Sequence, residues 1–176
     1  MEVLMIAAAT VDGFIGRSAD DRSFDWTSPE DARFYVETIK NVDVIIMGSR
    51  TFRSVKRHPR GAHYVIFTSK PEDFVNPRPE VITTWATNLS PAEVIESLAK
   101  QGHKRIAICG GSSIYGQFLK AGLVQRLLLT VEPIIFGEGV KLFAEKIEVN
   151  LELVQTRQLN ERGTILFDYE VKHVES

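Results

Sequence analysis

The chain has 176 residues, with 21 Lys and Arg against 23 Asp and Glu, and 44% of it is hydrophobic. Length and balance together exclude a disordered chain and suit one domain, residues 1–176, able to bury a core without staples. A formal net charge of -2, mixed in sign, gives no basic footprint for nucleic acid and no polybasic membrane patch, so neither partner is expected.

Residues 3–9 are a continuous apolar run ending near Asp12-Gly13, the pattern of a buried central strand. No basic segment precedes the run, and it is far too short to span a bilayer, so no secretory signal is expected. Ser28-Pro29-Glu30-Asp31 opens a helix to about residue 39. Ser28 can cap it, Pro29 suits the first helical position, and two acids sit where the helix dipole favours them. Residues 42–47 predict a second buried strand, followed by Gly48 and a short helix from Ser49 or Arg50. Residues 64–68 and 81–84 read as short strands, with the proline-rich stretch 70–79 as a surface loop between them. Ser90-Pro91-Ala92-Glu93 repeats the capping signature and starts a helix to Lys100. Residues 105–109 predict a strand, Gly110-Gly111 a tight turn, 112–120 a helix and 127–131 a strand. The period then changes: Ile165, Phe167, Tyr169 and Val171 alternate with Leu166, Asp168 and Glu170, and residues 160–163 form a hairpin turn back to 151–158. Buried strands alternating with helices, closed by a hairpin, predict an α/β fold with a mostly parallel central sheet and an antiparallel edge.

Gly110-Gly111 lies between a buried strand and a helix N-terminus, where free backbone N–H groups can hold an anion; tight strand-to-helix packing accounts for it equally. The spacing Gly111-x4-Gly116 imitates a P-loop, but Gln117 and Phe118 stand where Lys and Ser/Thr are required, which excludes a nucleotide triphosphatase. Gly48-Ser49-Arg50-Thr51 and Thr68-Ser69-Lys70 are two further strand ends carrying hydroxyls and cations. Three such ends along one carboxyl edge suit a dinucleotide. Asp31 has two readings: it closes a capping box with Ser28, or it is a lone carboxylate beside Trp26 and Tyr35 whose raised pKa lets it hold or deliver a proton. His58, His63, His103 and His173 show no ligand spacing and the single cysteine, Cys109, has no partner, so neither a metal nor a disulfide is expected. A free thiol fits a cytoplasmic protein. No serine stands in a G-x-S-x-G elbow. The basic run 56–60 is either a solvated turn or a mouth for an anionic tail.

Taken in order, these segments resemble the dihydrofolate reductase superfamily, which includes the reductase domain of the riboflavin-pathway deaminase–reductases. The resemblance runs through residues 6–16, Trp26 with Asp31, residues 46–52, 65–69 and 108–115, and covers nearly the whole chain. Residues 128–139 and 159–164 are similar to thermophilic bacterial dihydrofolate reductases, which are dimeric. It implies a three-layer dihydrofolate-reductase-like fold, a homodimer through the apolar segment 131–143, and hydride transfer from NADPH to a small-molecule pterin or pyrimidine. By the same resemblance Asp31 is the catalytic pocket carboxylate, and Ala7, Ala8, Trp26, Tyr35 and Thr130 fall on the substrate pocket. Ile15, Gly16 and the loop to Trp26 match a mobile lid. Gly48, Thr51, Thr68, Cys109, Gly110, Gly111, Ser112, Ser113, Ile114 and Tyr115 match the cofactor edge. Ser49 falls on the same cofactor edge, and Arg50, Ser69 and Lys70 are candidates for the adenosine 2′-phosphate.

The chain departs from the pattern at four places. Ser49 stands where the family's arginine follows Met-Gly, and the arginine comes next, at Arg50. The lid segment is longer, with Asp20, Asp21 and Arg22. Ala62 stands where dihydrofolate reductases carry the arginine that grips the folate glutamate, leaving Arg57 or Arg60 as substitutes. The riboflavin branch's Asp-Asp-Pro is absent after the second strand, as is any zinc deaminase module, whereas residues 26–30 look like that branch. The expected reaction is therefore reduction of dihydrofolate or a related dihydropterin. The alternatives are reduction of 5-amino-6-(5-phosphoribosylamino)uracil and a non-catalytic nucleotide-binding or dimerisation module.

Overall fold

The computed structural model describes residues 1–172; His173, the last of the histidines considered above, lies outside them. In chain order the elements are β1 (Glu2–Thr10), β2 (Phe14–Gly16), α1 (Pro29–Ile39), β3 (Val44–Gly48), α2 (Ser49–Ser54), β4 (His63–Phe67), β5 (Thr83–Thr87), α3 (Pro91–Lys100), β6 (Arg105–Ile108), α4 (Ser112–Lys120), β7 (Arg126–Glu132), β8 (Val140–Lys141), β9 (Asn150–Gln158) and β10 (Ile165–Lys172). The main sheet has eight strands in the order β5-β4-β3-β6-β1-β7-β10-β9. Strands β5 to β7 in that order run parallel. β10 joins β7 antiparallel and carries β9 on its outer side. The expected α/β architecture, parallel with a terminal hairpin at the edge, is the one observed.

The period of two in the strands sorts the core into the two sides of one sheet. Val3, Met5, Val44, Ile46, Ile106 and Ile108 pack with Val94 and Leu98 of α3 and Ile114 and Phe118 of α4. Leu4, Ile6, Ile45, Met47, Tyr64 and Ile66 pack on the opposite face with Ile39 of α1 and Phe52 of α2. Helix, sheet and helix make three layers. Strands buried on both faces have to be apolar at every position, which is why residues 3–9 and 44–47 read as unbroken runs.

Three local readings change. The strand expected at 81–84 is β5, two residues later, because its ladder with β4 pairs Thr83 with His63 and Thr87 with Phe67. Val81 instead closes a turn, its N–H bonding the Arg78 carbonyl at 2.9 Å. The loop 70–79 contains a short 3-10 turn at Pro71–Asp73. A small antiparallel sheet, β2 with β8, has no counterpart in the sequence reading. No helix among the described residues is long and apolar enough to cross a membrane.

Phe118 has no exposed surface and meets Phe67 edge-on at 5.5 Å. Phe118→Ala is expected to destabilise the protein by about 3–5 kcal/mol, read as a lower urea midpoint at unchanged slope.

Candidate active site

A cleft of about 800 Å³ opens along the carboxyl ends of the parallel strands. Ile6, Ala7 and Ala8 of β1, Gly48 at the end of β3, Thr68 and Ser69 after β4, Thr87 at the end of β5 and Cys109 to Gly111 after β6 all line it. A parallel sheet brings these ends to one side because every crossover returns the chain to the opposite edge.

One end of the cleft is built from backbone. The Gly110–Gly111 peptide is cis, and Gly110 has φ +99°. A Cβ at Gly110 would come within 3.1 Å of the Tyr115 hydroxyl, and one at Gly111 within 3.2 Å of Thr51 Oγ1. Both positions need glycine: the first for its backbone conformation, both for the close approach. The Gly110 carbonyl accepts the Gly48 N–H at 2.8 Å, which locks two of the strand ends together. Tyr115 reaches back to bond the Ile6 carbonyl at 2.6 Å. α4 starts at Ser112, whose buried hydroxyl has no protein partner. Arg50 and Arg53, both exposed on α2, face the cleft without an ion pair among the described residues.

The other end is built around one carboxyl. Asp31 is 7% exposed at the start of α1. Ser28 caps that helix, its hydroxyl accepting the Asp31 N–H at 3.2 Å. The box is not closed in return: the Ser28 N–H donates to Glu132 Oε1 at 2.6 Å, and the Asp31 carboxyl turns into the cleft. Burial pushes that carboxyl above the usual carboxylate range. The Thr130 and Thr27 hydroxyls pull it back, and like charge from Glu132 pushes it up again. Thr130 is buried on β7 opposite Ala8. Tyr35 lines the cleft beside Asp31 and meets Phe24 edge-on at 5.4 Å. Burial drives the Tyr35 phenol up and takes the Cys109 thiol to about 12, so both stay neutral and act as walls.

The residues expected from the sequence divide accordingly. Asp31, Ala7, Ala8, Tyr35, Ile15, Gly48, Ser49, Arg50, Thr51, Thr68, Ser69, Cys109, Gly110, Gly111, Ser112, Ser113, Ile114 and Tyr115 share the cleft wall. Trp26 does not: its ring packs edge-on against Phe136 at 5.1 Å, and its buried Nε1 has no protein partner. Gly16 sits beside the cleft, paired with Val140 of β8. Lys70 points away, its ammonium 4.0 Å from Asp73. Arg57 and Arg60 also lie outside the cleft wall. In their loop His58 stacks on Phe52 of α2 at 4.9 Å, and Ala62 packs against the core. The cations that do face the cleft are Arg22, Arg50 and Arg53. Arg53 could have been found as the i+3 neighbour of Arg50 on one helix face. Glu132 also escaped the sequence reading, although a charge ending an apolar strand was its signal. Among the described residues, no group of three or more His, Cys, Asp or Glu side chains is placed to hold a metal.

Because its folded pKa is raised, neutral Asp31 stabilises the fold in acid, and that stability is lost as the pH rises through the folded value. Asp31→Asn is therefore expected to be more stable than the native protein at neutral pH. Urea midpoints should show the gain shrinking as the pH falls to about 4. A native protein that is the more stable of the two at neutral pH would contradict this account of the buried charge.

Residues 2–165 match the family model of the RibD C-terminal domain. The uncharacterised YwjB protein of Bacillus subtilis (strain 168) is 25% identical over 169 residues, covering 91% of this chain and 93% of that one. Among solved structures, a diaminohydroxyphosphoribosylaminopyrimidine deaminase/5-amino-6-(5-phosphoribosylamino)uracil reductase of Thermotoga maritima superposes with a TM-score of 0.74 at 17% identity. That match takes in 96% of this chain and 56% of the bifunctional protein, so this chain spans just over half of it. Dihydrofolate reductase from Enterococcus faecalis, solved with NADP(H), superposes with a TM-score of 0.69 at 24% identity, covering 97% of this chain and 94% of that one. Both structures share the fold. The family match extends from the first strand to the start of the last and includes the glycine pair and the buried carboxyl alike, so the chain belongs to the RibD C-terminal domain family.

Proposed function

We propose that the protein is an NADPH-dependent reductase acting on a dihydropterin such as dihydrofolate. The observation that carries this reading is a carboxyl of raised pKa at one end of a cleft whose other end offers glycine backbone, helix N–H groups and unpaired guanidiniums. The backbone end fits a dinucleotide. Gly110 leaves no room for a side chain, the Ser112 hydroxyl is buried without a partner, and Arg50 and Arg53 have none either. Gly110, Gly111 and Ser112 to Ile114 would hold the pyrophosphate, and Ser49, Arg50 and Ser69 the adenosine phosphate. Bound there, the nicotinamide supplies hydride.

The chain's own part is to orient the acceptor ring and to manage a proton. Asp31 is an oxygen pair facing the cleft, suited to the adjacent N–H and amino donors of a pterin edge. With its affinity for a proton raised by burial, it favours the ring in which a nitrogen gains the proton that accompanies hydride. Ala7 and Ala8 leave space for a flat ring, and Tyr35 and Phe24 wall it.

A second reading is favoured by two observations. No arginine occupies the place of Ala62, and the family is that of the riboflavin-pathway reductase domain. On it the substrate is 5-amino-6-(5-phosphoribosylamino)uracil.

Oxidation of NADPH with each compound in turn separates the two readings. Saturable turnover of dihydrofolate, lowered about 100-fold or more by Asp31→Asn, is the expected result. Turnover of the pyrimidine alone would move the assignment to the second reading, and tight NADPH binding with neither reaction would leave a non-catalytic module. The proposal also includes a cytoplasmic homodimer. In segment 131–143 only Glu132 is buried, with Leu142 and Phe143 packed partly against the core, while Ile135 is 71% exposed and Leu151, Leu153 and Val154 lie open on β9. Sedimentation at micromolar concentration should give a dimer; monomer alone would remove that part.

A further inference from the structure

The first turn of α1 is held by a carboxylate from another element. Glu132 ends β7, is 5% exposed, and spends its two oxygens on two donors. Oε1 accepts the Ser28 N–H at 2.6 Å, and Oε2 accepts the Thr164 hydroxyl at 2.7 Å. Thr164 Oγ1 accepts from Asn160 Nδ2 at 2.9 Å, and that amide also reaches Glu30 Oε2 at 3.1 Å. The network runs from the β9–β10 turn, through Glu132, to the cap of the helix that carries Asp31.

The other capped helix shows what Glu132 prevents. At α3 the Ser90 N–H donates to Glu93 Oε2 at 2.8 Å, and the Glu93 N–H returns to Ser90 Oγ at 3.3 Å. Asp31 stands where Glu93 stands, three residues after the capping serine. Closing the same box would turn its carboxylate back along the helix and out of the cleft. We propose that Glu132 is a positioning residue: it occupies the Ser28 N–H that Asp31 would otherwise claim, and so keeps the Asp31 carboxyl turned into the cleft. The catalytic consequence rests on the reductase reading above; the positional claim does not.

The groups facing Asp31 are Glu132 from β7, the Tyr115 phenol from α4, and the Thr27 and Thr130 hydroxyls. Of these, only Glu132 shares a donor with its helix cap. Glu132→Met keeps volume but accepts no N–H, whereas Glu132→Gln keeps an acceptor oxygen and loses the charge. Carboxyl carbon NMR titration follows Asp31 in each variant without any substrate. In Glu132→Met its midpoint is expected to fall by about one unit or more as the box closes, with Glu132→Gln restoring most of the native value. An unchanged midpoint in Glu132→Met, or equal shifts in the two variants, would overturn the proposal, since the second outcome needs only the lost charge. If Glu132→Met does not fold, the native protein decides. The Ser28 amide signal should track the titration of Glu132, and tracking Asp31 instead would overturn the proposal. On the substrate that NADPH oxidation identifies, Glu132→Met should lower kcat ~10-fold with the KM for NADPH unchanged, and Glu132→Gln should recover it. Loss of the NMR effect sinks the positioning role, while an NMR effect without a kcat effect sinks the reductase reading alone.

Discussion

A carboxyl kept out of water at the start of α1 is the constraint on which the site depends. Two influences compete at Asp31. The helix dipole favours a negative charge in the first turn, and burial disfavours it. The pKa is raised, so burial wins. Keeping such a group inside requires polar neighbours that fit without neutralising it. Thr130 on β7 and Thr27 in the chain before the helix place hydroxyls near it, and among the described residues no lysine or arginine pairs with the carboxyl. A cationic partner would have satisfied the charge and lowered the group's affinity for a proton.

The two ends of the cleft follow from different parts of the same chain pattern. Its backbone end needs only strand termini, helix starts and glycine, because N–H groups and space are what an anion site requires. Its carboxyl end needs a side chain whose surroundings come from α1, β1 and β7 at once. The first is local in sequence and the second is not. Parallel pairing joins them: β1 lies between β6, which ends in the glycine pair, and β7, which carries Thr130 and ends in Glu132.

That difference explains what could be read from the residues alone. The buried strands announce themselves as unbroken apolar runs, and Ser28-Pro29 and Ser90-Pro91 mark helix starts that the structure reproduces. Yet two nearly identical capping sequences behave differently. Ser90 closes its box with Glu93, and Ser28 does not close one with Asp31, because Glu132 arrives from 104 residues away to take the donor. No local pattern encodes that arrival. The basic run at 56–60 follows α2 directly in sequence, yet none of its residues lines the cleft, and His58 stacks on Phe52 instead. Strands β2 and β8 were invisible because their three and two residues form a sheet only with each other.

The pairing of β2 with β8 also shows how the segment between β1 and α1 is held. Asp12 accepts the N–H groups of Phe136 and Gly137 at 3.2 and 2.7 Å and the Thr10 hydroxyl at 2.6 Å. The Leu142 N–H bonds the Gly13 carbonyl at 3.0 Å, and Arg17 lies 4.3 Å over the Phe136 ring. At the far end of the same segment Trp26 packs on Phe136, and Ser28 is fastened to Glu132. Both ends of the segment between β1 and α1 are therefore anchored to the stretch that follows β7. Between the anchors the chain is tied locally by the pairs Arg17–Asp21 and Arg22–Asp25. The span that lines the cleft, from Ala19 to Phe24, therefore lies between two fixed points. Those fixed points belong to the stretch that begins at Glu132, so the elements covering the cleft and the carboxyl inside it share one support.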